Sequence, residues 1–293
     1  MRWTPGGVSD DIEDRRDDDG GSGGYGFGGG GFGGRHIGLG GMLLLVVASV
    51  VFRRDLLTPF LGGGAPEARV ARPSDPSRKA AEQPLVEFVS FVLDDLQKTW
   101  TQLLPQQTNV PYRRAKLVLF HDLIDSACGQ AESATGPFYC PGDQKVYIDL
   151  GFYRELKERF GAPGEFAQAY VIAHEIGHHV QNLIGIERKV AAARQRNPSM
   201  ANRLSVRVEL QADCIAGVWG HSTEQRNIID RSDIDAGLNA AAAIGDDRLQ
   251  KMATGRVMPE KFTHGSSAQR VEWFRKGLEE GDVRACDTFS SMQ

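Results

Sequence analysis

The stretch with the densest chemistry in this chain is Val171-Ile172-Ala173-His174-Glu175-Ile176-Gly177-His178-His179-Val180. It contains H-E-x-x-H. On a helix, residues four apart share a face, so His174 and His178 can present two imidazoles to one metal ion. Glu175, beside the first of them, reaches a metal-bound water. That is the pattern of zinc-dependent peptide hydrolysis. H-E-x-x-H is short enough to occur by chance, so the rest of the chain must supply what it lacks.

A catalytic zinc ion takes three protein ligands and keeps a fourth position open. Residues 201–220 predict a helix on which Glu209 and Asp213 lie four apart, on one side. Between His178 and Glu209 there is room for one helix to end and a second to return antiparallel. Glu209 then completes a His-His-Glu set. Asp213, one turn on, accepts the free ring N–H of a ligand histidine and fixes its tautomer. The plain alternative for Glu209 is a solvated carboxylate beside Arg203 or Arg207. Its apolar surroundings, Leu210, Ala212, Cys214, Ile215, Val218 and Trp219, argue instead for burial. Two buried carboxylates require a cation. His179 points about 100° away from His178 around the helix and fits poorly as a ligand. His221 follows a predicted helix end. His264 sits in a loop, where it could close over a substrate and stabilise the transition state. Gly177 either permits close packing of the metal-bearing helix or is merely tolerated there.

The elements that position these residues begin near Leu85. Leu85–Leu104 is amphipathic at helical spacing and should stop at Pro105. Lys116–Phe120 and Lys145–Leu150 read as strands. The second is either an edge strand that takes extended peptide by β-addition or an ordinary interior strand. Gly151–Phe160, Glu165–Ile184, Ala201–Gly220, Asp233–Met252 and Ser267–Glu280 read as helices, with Gly185 closing the second of these. Residues 85–293 thus form one α+β domain, dominated by helix around a small sheet. Cys128, Cys140, Cys214 and Cys286 allow three pairings. Cys128 and Cys140 bracket a turn-rich loop and are the favoured pair, which leaves Cys214 with Cys286.

Ahead of the domain the composition changes. Residues 1–35 are acidic and then glycine-rich, too poor in apolar surface to offset their ordering entropy, and read as a disordered tail. Ile37–Phe52 is the most apolar run, flanked by Arg35 and His36 before and Arg53 and Arg54 after. At about 1.5 Å per residue it falls slightly short of a hydrocarbon core of roughly 30 Å, a mismatch that snorkelling arginines absorb. The expectation is a transmembrane anchor over 36–54, in contact with membrane lipid through 37–52, followed by a flexible linker over 55–84. Paired cysteines favour a domain outside the cytoplasm, with the N-terminus inside. A net charge of -4 gives no reason to expect nucleic acid.

V-I-A-H-E-I-G-H-H-V with E-L-Q-A-D resembles gluzincin metallopeptidases, in which H-E-x-x-H is followed by a helix bearing E-x-x-A-D. Over nearly its full length the chain is similar to the bacterial family of neutral zinc metallopeptidases. The matching features are M-R-W, D-I-E-D-R-R, the glycine-rich stretch, the single apolar run, C-G followed by G-P-F-Y-C-P, and the two zinc segments. The resemblance implies a zincin-like fold with one Zn²⁺, held by His174, His178 and Glu209, and Glu175 as general base. Together with the apolar run, these residues point to a membrane-anchored endopeptidase acting on peptide or protein substrates, and the resemblance says little about which. A membrane-tethered interaction protein with a structural metal is the rival from another class, and it requires a fourth protein ligand. A zinc hydrolase of cell-wall amide bonds is a third reading, lowered by the lack of a recognisable wall-binding module.

Overall fold

The computed structural model describes residues 1–18, 76–132 and 136–290. Its first surprise is at the N-terminus. Residues 1–18 pack on the domain rather than forming a disordered tail, and Ile12–Asp14 is a strand, β1. It lies parallel to β2 (Lys116–Phe120), with Ile12 opposite Leu117 and Asp14 opposite Leu119. Composition failed here because the segment is held less by apolar area than by specific pairs. Asp11 accepts from Gln97, Arg114 and Lys116. The buried Arg16 bridges Asp14 and Glu82, and Lys145 pairs with Glu13. Trp3 adds an edge contact with Phe88. The apolar run at 37–52 lies outside the described residues. No helix among them is long and apolar enough to cross a membrane.

Helix α1 spans Pro76–Thr108, so it starts within the expected linker and passes Pro105. Proline costs a helix one N–H and crowds the preceding turn. Pro105 falls in the last turn, where the helix has only three residues left to run. Its buried stripe, including Leu93, Leu96 and Trp100, lies in the main core.

The four-stranded sheet runs β1-β2-β6-β5, with β5 (Phe138–Cys140) and β6 (Lys145–Asp149). β6 is parallel to β2 and antiparallel to β5. It is therefore the interior strand of the two readings considered, and the outer edge belongs to β5. The loop before β5 contains a hairpin, β3 (Leu123–Ser126) against β4 (Gly129–Glu132). Cys128 is bonded to Cys140, and Cys214 to Cys286, which matches the favoured pairing.

The helical half contains α2 (Gly151–Glu158), α3 (Glu165–Leu183), α4 (Ile186–Arg196) and α5 (Ala201–Gln225). It continues with α6 (Arg231–Ala243), α7 (Asp246–Thr254) and α8 (Ser267–Glu280). The helix expected over Asp233–Met252 is broken in two at Ile244-Gly245. There Asp246 turns to bind the backbone N–H groups of Thr263, His264 and Gly265. Helices α5 and α8 touch backbone to backbone. A Cβ on Gly217 would lie 2.2 Å from the Phe274 carbonyl oxygen, and one on Gly277 1.9 Å from that of Cys214. Two glycines facing each other permit that approach.

Candidate metal centre

Helix α3 carries H-E-x-x-H on a face buried against α5. Gly177 sets the spacing, because a Cβ there would stand 2.9 Å from the Ala212 carbonyl oxygen. The close-packing reading of Gly177 is the one the structure takes. With the helices this close, His174 Nε2 is 3.2 Å from Glu209 Oε2, and His178 Nε2 is 3.7 Å from Glu209 Oε1. One donor atom from each of the three lies within 4.8 Å of the others. Ligands on a tetrahedron with bonds of about 2.1 Å stand roughly 3.4 Å apart. Two imidazoles and a carboxylate at these separations fit zinc in donor chemistry and in size.

Among the described residues no fourth ligand joins the group. All four cysteines are in disulfides. His179 is buried and used elsewhere, its Nε2 donating to the Arg113 carbonyl at 2.6 Å and its Nδ1 facing the Tyr139 hydroxyl at 3.0 Å. His221 faces the Leu278 carbonyl and Gln225. His264 turns its Nδ1 to Asp246 Oδ1 at 3.2 Å.

The ligands are oriented from behind. Asp213 Oδ1 accepts from His174 Nδ1 at 2.8 Å, the role its spacing predicts, and leaves Nε2 for the metal. His178 Nδ1 stands 2.9 Å from Gln181 Oε1. Gln181 in turn donates to the Val208 carbonyl and to Gln211. Asp213 is fully buried and also accepts from Tyr170 and from both sides of the Arg270 fork, at 2.8 and 2.9 Å.

Burial by itself favours neutral His174, but Asp213 and Glu209 outweigh it and raise the group to about 10. A divalent cation at the donor point would take the place of that proton. For Glu209, burial is overcome by His178, His264 and His174, which bring it well below the usual carboxylate range. For Asp213, burial is overcome by Arg270 and His174, which pull it down to about 2. Burial pushes the Glu175 carboxyl up, against the pull of His178 and His174. A raised carboxyl beside the ligands suits proton transfer.

Three supporting residues escaped the sequence reading. Gln181, three residues after His178 on the same helix, and Tyr170, four before His174, both carry the helical spacing that could have flagged them. Arg270 had no such signal, since only the packing of α8 on α5 brings it to Asp213.

A family model described as "Putative neutral zinc metallopeptidase" matches residues 1–289. "Uncharacterized protein YpfJ" of Escherichia coli K12 is 46% identical over 295 residues, covering 99% of each chain. "Uncharacterized protein Rv2575" of Mycobacterium tuberculosis H37Rv is 44% identical over 203 residues, 66% of each chain. No solved structure matches the chain.

Proposed function

The chain belongs to this family of zinc metallopeptidases, and from that premise we propose that it is an endopeptidase, with His174, His178 and Glu209 holding one Zn²⁺ and Glu175 as general base. The observation that carries the reading is the convergence of three donors from two helices with no fourth ligand among the described residues. A structural centre would close that fourth position. Bound zinc supplies a Lewis acid that makes its water acidic near neutral pH and polarises the scissile carbonyl.

The chain's own residues do the rest. Glu175 accepts the proton of the attacking water and returns it to the leaving amine. His264, steadied by Asp246, adjoins Gly265, whose backbone packs against Leu210 and Val206 of α5 beside Glu209. From there it donates to the oxygen that gains charge in the transition state. The outer edge of β5, which pairs only with β6 among the described residues, receives the substrate as an added strand. Its Tyr139 hydroxyl meets His179, next to the ligand His178. Both disulfides suit a domain that works in an oxidising compartment.

The test is Glu175→Gln. Metal analysis should show zinc retained as in the parent chain, while hydrolysis of casein or a peptide library falls by about 100-fold or more. Undiminished hydrolysis in that variant refutes the assignment.

A further inference from the structure

Arg270 is fully enclosed, and it approaches the ligand ring only at His174 Nδ1, 3.3 Å from one terminal nitrogen, on the side that already donates to Asp213. Its Nε and one terminal nitrogen clasp the two oxygens of Asp213. The same terminal nitrogen lies 3.2 Å from the Tyr170 hydroxyl, and the other donates to the Ile244 carbonyl at 3.3 Å. Asp213 is the residue that orients His174. We propose that Arg270 is a positioning residue for the metal centre, aiming the Asp213 carboxylate at His174 and balancing its charge. The inference rests on the zinc reading of His174, His178 and Glu209.

Charge counting shows why such a residue is needed. Zn²⁺ offsets Glu209 and Glu175, and the fully buried Asp213 carboxylate is then left without a counter-ion. Arg270 brings the cluster to neutrality, and its planar fork fixes both carboxylate oxygens, as the point charge of a lysine does not. Its reach depends on the Gly217–Gly277 contact, which lays α8 directly on α5.

Zinc affinity, read by competition with a chromophoric chelator on the full chain, tests this without recourse to peptidase activity. Arg270→Met should weaken zinc binding by about 10- to 100-fold, the usual cost of losing a group behind a ligand. Arg270→Lys should recover only part of that loss. Because Arg270→Met strands a buried carboxylate and could misfold, the pair Asp213→Asn and Asp213→Asn/Arg270→Met is the second arm. If Arg270 acts through Asp213, adding Arg270→Met to Asp213→Asn changes zinc affinity no further. Folded Arg270→Met with parental affinity overturns the proposal, and so do losses that multiply in the double variant. A parent chain that binds no zinc refutes the metal reading itself.

A separate observation bears on the membrane. β1 is hydrogen-bonded to β2, so residues 1–18 and the domain belong to one folded unit. Neighbouring strands lie about 4.8 Å apart, whereas one bilayer crossing separates its ends by roughly 30 Å. We infer that both ends of residues 19–75, the described segment 1–18 and the domain, lie on one side of any membrane. That arrangement is the alternative to an orientation with the N-terminus inside and the domain outside. With two disulfides in the domain, the N-terminal segment shares its oxidising compartment.

Val8 and Met252 are both exposed, one on each part. Val8→Cys and Met252→Cys, treated in intact cells with a membrane-impermeant maleimide, should give the same labelling state. Ile12→Cys with Leu117→Cys, register partners in the sheet, should cross-link in the same cells. Labelling of one site but not the other, without the cross-link, overturns the inference.

Discussion

The two ligand histidines sit one turn apart on α3 and are held in opposite ways. His174 leans on an ionic cluster drawn from α3, α5 and α8, in which Asp213 is satisfied by Arg270 and Tyr170. His178 leans on an amide, Gln181, anchored to the Val208 carbonyl and to Gln211. Both give the ring a fixed acceptor, which is what a ligand histidine needs. They differ in cost. A buried charge pair is stable only while both members are present, whereas an amide relay fails one hydrogen bond at a time. The metal centre is therefore expected to have a brittle side and a tolerant side.

Asp213→Ala probes the brittle side and should produce the larger effect. It removes the acceptor of His174 and leaves the Arg270 charge enclosed, at a cost of about 3–5 kcal/mol in folding stability. Zinc affinity should fall by about 10- to 100-fold in whatever fraction folds. Thermal unfolding with chelator competition on the same samples measures both. A drop in stability below about 1 kcal/mol would show that Arg270 finds water or another partner. The ionic side would then be no more brittle than the amide side.

This asymmetry also explains what could be read from the sequence. His174, Glu175 and His178 are local, and helical spacing alone puts the two imidazoles on one face. Glu209 and Asp213 were legible because the same spacing recurs on an apolar helix. Arg270 was not, because its partner is chosen by the meeting of Gly217 with Gly277, a contact that no local pattern encodes. The same limit hid β1. Its three residues Ile-Glu-Asp carry no apolar alternation, and the segment is fixed by pairs with Glu82, Arg114, Lys116 and Lys145 far along the chain. The helix break at Gly245 has a related cause, since Asp246 is held there by the backbone of Thr263, His264 and Gly265. Propensity gives way where tertiary contacts hold the backbone.

The tolerant side is tested by Gln181→Leu, a change of similar volume that removes the amide. His178 Nδ1 then loses its acceptor, while Val208 and Gln211 lose a donor. No buried ion pair is broken, so the cost should be about 1–3 kcal/mol in stability. Zinc affinity should weaken by less than in Asp213→Ala, nearer the lower bound of about 10-fold for a group behind a ligand. Calorimetric titration of zinc into the two metal-stripped variants compares the sides directly. Equal losses would mean that the charge on Asp213 contributes nothing beyond its hydrogen bond. The distinction between the two histidines would then reduce to geometry, since both would need only an acceptor in the right place.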